Sequence, residues 1–220
     1  MQSTLTMNEQ QHLETLSDIK RIMERSSRFI SLSGLSGVWA GLSGLAGAWI
    51  AYNWLNNYYN AWEAHGGYSD ADFAGLRIKL ILLAAAVVLV ALAGGTYFTW
   101  RRARRNQLPI WDPTSRKVLV NIAIPLATGA FFILGLIADN QPALIAPSCL
   151  VFYGLALVNA SKYTLSDIRY LGIAEIVLGI LNVFFLRRGL YFWTLGFGVL
   201  HIIYGIVMWW KYERTAKAGS

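Results

Sequence analysis

Apolar residues fall in six long blocks along this 220-residue chain, at 29–54, 80–100, 118–138, 144–160, 170–186 and 189–210. Charged residues gather in the connections, and only Glu175 and His201 sit deep inside a block. A helix needs about 20 mostly apolar residues to cross a hydrocarbon core about 30 Å thick. In lipid the backbone must satisfy its own hydrogen bonds, so helix is the only sensible conformation for such blocks. The pattern predicts an all-α, polytopic membrane protein with six transmembrane helices. Its expected divisions are an arm at 1–28, a membrane domain at 29–211 and a tail at 212–220.

The arm carries its own pattern. Thr6 and Glu9 have capping-box spacing, and Leu13, Leu16, Ile19 and Met23 then recur at three and four residues. This predicts an N-terminal amphipathic helix lying on the membrane, covering the bundle or pairing with another copy. The first apolar block exceeds the 7–15 residues of a signal-peptide core, so the arm is expected to stay on the mature chain.

Composition agrees with the membrane assignment, at 55% hydrophobic and 14% charged residues. The net charge of +7 is explained by where it lies. Of 19 basic residues, 15 fall in the arm and alternate connections, leaving Arg77, Lys79, Arg187 and Arg188 on the other side. The positive-inside rule then puts both termini in the cytoplasm. No recognition motif accompanies the charge, so nucleic acid is not expected as a partner. Arg101, Arg102, Arg104 and Arg105 are instead expected to touch anionic lipid headgroups. Trp54, Trp100, Trp111, Tyr191, Trp193, Trp209 and Trp210 end their blocks, as aromatic rings at an interface do.

The first block holds Gly34, Gly37, Gly41, Gly44 and Ala48 on one helical face, beside a stripe of Leu35, Val38, Leu42, Leu45 and Trp49. Small residues let helix backbones approach, so the face marks a contact within the bundle or across an oligomer. Gly34-Leu35-Ser36-Gly37 and Gly41-Leu42-Ser43-Gly44 each resemble the G-x-S-G around the serine of rhomboid intramembrane proteases. That resemblance implies a hydrolase using Ser36 or Ser43 with His201 as base. Rhomboids carry the serine on their fourth core helix, whereas these serines lie on the first.

The last two blocks form an antiparallel hairpin about Arg187-Arg188-Gly189. Residues at equal depth then have a constant sum of positions, which matches Glu175 with His201, Gly172 with Gly205, Gly179 with Gly198 and Asn182 with Thr194. Each set shares a helical face, so one polar and glycine-lined seam is expected. Ionisable groups within a span are costly and default to functional hypotheses. The Glu175–His201 pair is thus either a clamp fixing register or a proton- or cation-binding site.

The remaining features are less specific. The connection from Leu55 to Leu76 is expected to rest a short aromatic segment on the interface. Its Glu63, His65, Asp70 and Asp72 lack metal-motif spacing, so no metal is expected. Pro113 marks a helix start, Pro125 with Thr128 a kink, and Pro142 and Pro147 the beginning of the fourth span. Cys149 excludes an internal disulfide and reads as a packing residue. No haem, retinal or nucleotide motif is present and no cofactor is expected.

The stretch from Glu24 to Gly47 resembles uncharacterised small multi-pass membrane proteins of bacteria. Gly179-Ile180 and Gly205-Ile206 are similar to spacings in the HdeD-like six-helix family. Neither resemblance implies an activity. The leading expectation is a non-enzymatic inner-membrane protein acting through helix contacts, as a homo-oligomer or with a membrane-protein partner. Next comes a proton- or cation-coupled transporter or channel using Glu175 and His201. An intramembrane serine hydrolase is third.

Overall fold

The structure, a computed structural model, describes residues 12, 14–16, 32–65, 70–107 and 111–214, with side chains apart from those of 61–65 and 70–71. Every regular element among the described residues is helical. In chain order these are α1 (Gly34–His65), α2 (Asp70–Arg105), α3 (Pro113–Ala138), a 3-10 turn at Pro142–Leu144, α4 (Ile145–Ala160) and α5 (Ile168–Phe184). A 3-10 turn at Leu186–Arg188 then leads into α6 (Gly189–Trp193), a π segment (Thr194–Leu200), α7 (His201–Trp209) and a π turn (Trp210–Arg214). These last pieces join end to end as one closing rod.

Five stretches are long and apolar enough to cross a membrane: Gly34–Asn60, Asp72–Arg105, Pro113–Ala138, Pro142–Ala160 and Leu186–Arg214. The remaining block, 170–186, is α5. Its 17 residues lie at the short end of what a bilayer requires. The chain is therefore an all-α polytopic membrane protein. Of the arm, His12 and Glu14, Thr15 and Leu16 are described and helical. Thr6, Glu9, Leu13, Ile19 and Met23 lie outside the described residues.

The connection between the first two spans differs from expectation. It is helix on both sides, α1 running to His65 and α2 starting at Asp70. Residues 55–65 contain neither glycine nor proline, so nothing stops α1 before the Gly66-Gly67 pair. Tyr58 and Phe73, with ring centroids 6.3 Å apart, join the two extensions.

Local chemistry explains the start and end of α3. Asp112 caps it, accepting from the Ser115 N–H at 2.6 Å while Ser115 Oγ accepts from the Asp112 N–H at 2.9 Å. Pro113 occupies the first turn, where its missing N–H costs nothing. At the other end Asn140 adopts a left-handed φ of 57°, which asparagine tolerates well. Its side chain accepts from Arg77 at 3.2 Å, tying the start of α2 to this turn.

Pro125 lies inside α3 and the helix continues through it. A proline at this place leaves the carbonyl four residues back without its usual donor. That carbonyl is Asn121 O, and Asn159 Nδ2 of α4 donates to it at 3.1 Å. In lipid a neighbouring helix is the natural source of such a donor.

Glycine contacts hold the bundle together in two places. Between α1 and the rod, a side chain at Gly37 would meet Gly205 Cα at 3.1 Å, one at Gly41 would meet Gly198 O at 2.6 Å, and one at Gly205 would meet Gly34 O at 2.8 Å. Gly34 and Gly44 abut the rod's backbone in the same way. Between α4 and α5 the contact is reciprocal: a Cβ at Gly154 would lie 2.6 Å from Gly172 O, and one at Gly172 would lie 2.7 Å from Gly154 O. Gly179 faces Pro147 O and Val151 of α4. Such closeness maximises dispersion contact, the main attraction between helices in lipid.

The outer helices attach more sparingly. α2 packs on α1, with Trp39 Nε1 donating to Val90 O at 2.9 Å, and α3 packs on α4 through Phe132 and Phe152 at 5.5 Å. The outward faces of both carry large apolar side chains such as Leu89, Leu92, Ile124 and Phe131. Those faces suit lipid.

At the arginine-rich end a polar lock joins the pieces. Glu213 Oε1 accepts from the Gly34 N–H at 2.7 Å and the Ser33 hydroxyl at 3.0 Å, placing a carboxylate on the N-terminus of α1. Arg102 pairs with the same carboxylate at 3.6 Å and donates to Leu32 O. Lys211 and Tyr212 bond Asp167 at 2.8 and 2.6 Å. Partial burial works against the Asp167 charge, yet those hydrogen bonds and the Lys211 charge hold its carboxyl below the ordinary range.

Two outcomes are expected in detergent unfolding experiments. Gly205→Ala lowers stability by about 1–3 kcal/mol through overpacking, whereas Gly135→Ala, with nothing within 4 Å of the new Cβ, does not. Asn159→Ala costs about 1 kcal/mol in wild type and clearly less in a Pro125→Ala background, where the helix regains its own donor. Equal losses in both backgrounds would show that the side chain does not serve the freed carbonyl.

Candidate functional site

Glu175 and His201 lie at the junction of α4, α5 and the rod. Glu175 is 0% exposed and His201 5%. His201 Nδ1 stands 3.4 Å from Glu175 Oε1. The same nitrogen is 3.0 Å from Gly196 O, within the π segment five residues earlier. A carbonyl only accepts, so Nδ1 carries the hydrogen. In the neutral ring Nε2 is then an acceptor, and the Tyr153 hydroxyl donates to it at 2.8 Å.

Three local features make this arrangement. Tyr153 reaches in from α4, its ring against those of His201 (5.4 Å) and Phe197 (5.2 Å). The π segment runs up to His201, and single π turns inside helices frequently mark functional positions. Gly196 has no side chain, and a Cβ there would meet Leu150 Cδ2 at 2.5 Å and press on the Glu175 carboxyl. Only glycine lets the carboxylate and the imidazole share this space.

Neither Glu175 oxygen has a hydrogen-bond partner among the described residues. A bare carboxylate in an apolar interior carries a large desolvation cost. The group therefore requires a counterpart: a proton, an imidazolium or a small cation.

The seam expected from the hairpin is not the one observed. Gly172 and Gly179 face α4, while Gly198 and Gly205 face α1. Each glycine face found a second small-residue surface, Gly154 for α5 and the Gly34, Gly37, Gly41 and Gly44 face for the rod. Closer backbone approach there outweighs layer-by-layer pairing within the hairpin. Asn182 and Thr194 are also not partners. Asn182 Nδ2 donates to Phe185 O at 3.2 Å with Oδ1 unpartnered, and Thr194 donates to Leu190 O of its own helix at 2.7 Å. Of the four expected layers, Glu175 with His201 is the one joined by a polar side-chain contact among the described residues.

The serines of the first helix use their hydroxyls locally. Ser36 donates to Ser33 O and Ser43 to Trp39 O at 2.9 Å. His201 is bonded instead to Tyr153 and Gly196, so the serine–histidine contact of the rhomboid resemblance is not made. Among the arginines, Arg101, Arg102 and Arg105 line a groove at the lock, while Arg104 lies over the Trp100 ring at 5.4 Å. No cluster of three or more potential metal ligands occurs among the described residues. The side chains of Glu63, His65 and Asp70 lie outside them.

Tyr153 and Gly196 join the site without having been expected there from the sequence. Tyr153 carried a usable signal, a tyrosine in the middle of a span rather than at the interface, where such rings usually sit. Gly196 fell outside the three-and-four spacing of the rod's glycine face because π geometry shifts the phase.

Comparison with protein-family models, curated proteins and solved structures found no match to this chain.

Tyr153→Phe removes the donor to Nε2 and is expected to lower stability by about 1–3 kcal/mol in detergent unfolding. Tyr191→Phe, at an exposed position, leaves stability unchanged. Equal stability of the Tyr153 variant and wild type would show that the Tyr153–His201 bond contributes nothing.

Proposed function

We propose that Glu175, His201 and Tyr153 form a proton- or cation-binding centre, and that the protein works as a small proton- or cation-coupled transporter or channel. The observation that carries this reading is the fully buried Glu175 carboxyl, without a hydrogen-bond partner among the described residues and 3.4 Å from an imidazole nitrogen. A purely structural clamp is expected to satisfy both oxygens, because unsatisfied buried acceptors are costly. A site that takes up and releases its occupant keeps them free.

The imidazole supplies a proton as well as a partner. With the ring doubly protonated, the Nδ1–H bond breaks and an O–H bond forms on the Glu175 carboxylate, leaving a neutral imidazole beside a neutral acid. The Nε2 hydrogen is then donated to the Tyr153 oxygen. Asn182, fully buried on the Glu175 face of α5, is a second polar position on the same helix. We place the protein in a bacterial inner membrane with both termini in the cytoplasm, on the charge asymmetry of its connections.

A second reading, a non-enzymatic protein acting as an oligomer or complex component, draws on the outer helices. α2 is anchored almost wholly by α1, and α3 almost wholly by α4, leaving wide apolar faces. The glycine face of α1 no longer argues for it, being occupied by the rod.

Reconstituted vesicles distinguish the two. Wild-type protein is expected to dissipate an imposed proton gradient or admit a monovalent cation, and Glu175→Gln to fall to the level of empty vesicles. Flux unchanged by Glu175→Gln would sink the site assignment. Absence of flux in wild type, with a multimeric mass in lipid nanodiscs, would favour the contact reading.

A further inference from the structure

The arginine-rich end holds a groove of about 580 Å³ between the first turn of α1, the last turn of α2 and the end of the rod. Leu35, Phe98 and Trp209 form its apolar wall, and Arg101, Arg105 and Arg214 its cationic one. Arg102 also lines it, its charge balanced by Glu213 at 3.6 Å and its Nε buried without a hydrogen-bond partner. Glu213 is itself engaged by Ser33 and Gly34, at 3.0 and 2.7 Å. Among the described residues Arg101, Arg105 and Arg214 have no ion pair, so one groove gathers three guanidiniums without a carboxylate partner there.

We propose that this groove is a specific site for an anionic phospholipid, whose phosphate engages Arg101, Arg105 and Arg214 and whose chain side lies against Leu35, Phe98 and Trp209. Guanidinium forks match phosphate oxygens two at a time, which single ammonium groups do not. The depth fits. Trp100 and Trp210 are exposed nearby, as rings at headgroup level are. An apolar wall facing a cationic wall suits an amphiphile, whereas a soluble phosphate has no use for Leu35 or Phe98. Arg104, turned onto Trp100, and Arg116 and Lys117, on α3, do not line the groove. Basic charge at this end is therefore not interchangeable.

The test is thermal unfolding of the full-length protein in a neutral detergent, titrated with short-chain phosphatidylglycerol, short-chain phosphatidylcholine or inorganic phosphate. Phosphatidylglycerol is expected to raise the unfolding temperature at concentrations where the other two do not. The double variant Arg105→Ala with Arg214→Ala changes two exposed side chains and keeps its unliganded unfolding temperature. It is expected to need about thirty-fold more phosphatidylglycerol for the same stabilisation. Arg116→Ala with Lys117→Ala is expected to titrate as wild type. Equal loss in that control pair, or no preference for phosphatidylglycerol over phosphatidylcholine, overturns the site. Stabilisation by inorganic phosphate alone, equal to that by the lipid, overturns the assignment to a lipid.

Discussion

The bundle depends on two places where helix backbones are pressed together at glycines, α1 on the closing rod and α4 on α5. Lipid removes the hydrophobic drive that packs helices in water, so contact area and interhelical polar bonds must hold the structure. Glycine maximises the first by deleting the side chain that would keep two backbones apart. At Gly41 and Gly172 the neighbouring carbonyls stand where a Cβ would sit. With these two pairs set, α2 and α3 attach to the outside of one member each.

The polar features follow from the same geometry. Once α5 turns its glycines to α4 and the rod turns its own to α1, Glu175 and His201 point into the junction that remains. Tyr153 enters from the third side, and Gly196 provides room through a local π turn. Some polar groups released by the packing find partners on adjacent helices, while Asn182 Oδ1 and Arg102 Nε find none among the described residues. Asn159 answers the carbonyl that Pro125 frees, and Glu213 answers the N–H at the start of α1 that has no partner within the helix. At Glu175 both oxygens of a carboxyl group lack a hydrogen-bond partner among the described residues. That contrast makes it the candidate centre.

How far these features could be read from the chain depends on their range. The start of α3 at Pro113 is a matter of adjacent residues and was legible. So was the contact role of the α1 glycine face, because helical periodicity alone aligns it. Its partner was not, since a stripe says only that something approaches. The hairpin register brought Glu175 and His201 to equal depth correctly, while mispairing the glycines around them. Equal depth does not specify rotation about the helix axis, and rotation is set by whichever neighbour permits the closest approach.

The sequence by itself determined the class of molecule: the alternation of apolar blocks and charged connections requires helices in a bilayer, because no other backbone can satisfy its hydrogen bonds there. It also determined which residues are anomalous, Glu175 and His201 above all, since a charge within a span has no neutral explanation. Only the tertiary structure decided who meets whom. It gave the glycine faces of α5 and the rod to different partners, brought Tyr153 to His201, and gathered arginines from α2 and the rod around one groove. These are contacts between helices far apart in the chain, chosen by how closely their surfaces fit, and no local pattern encodes that competition.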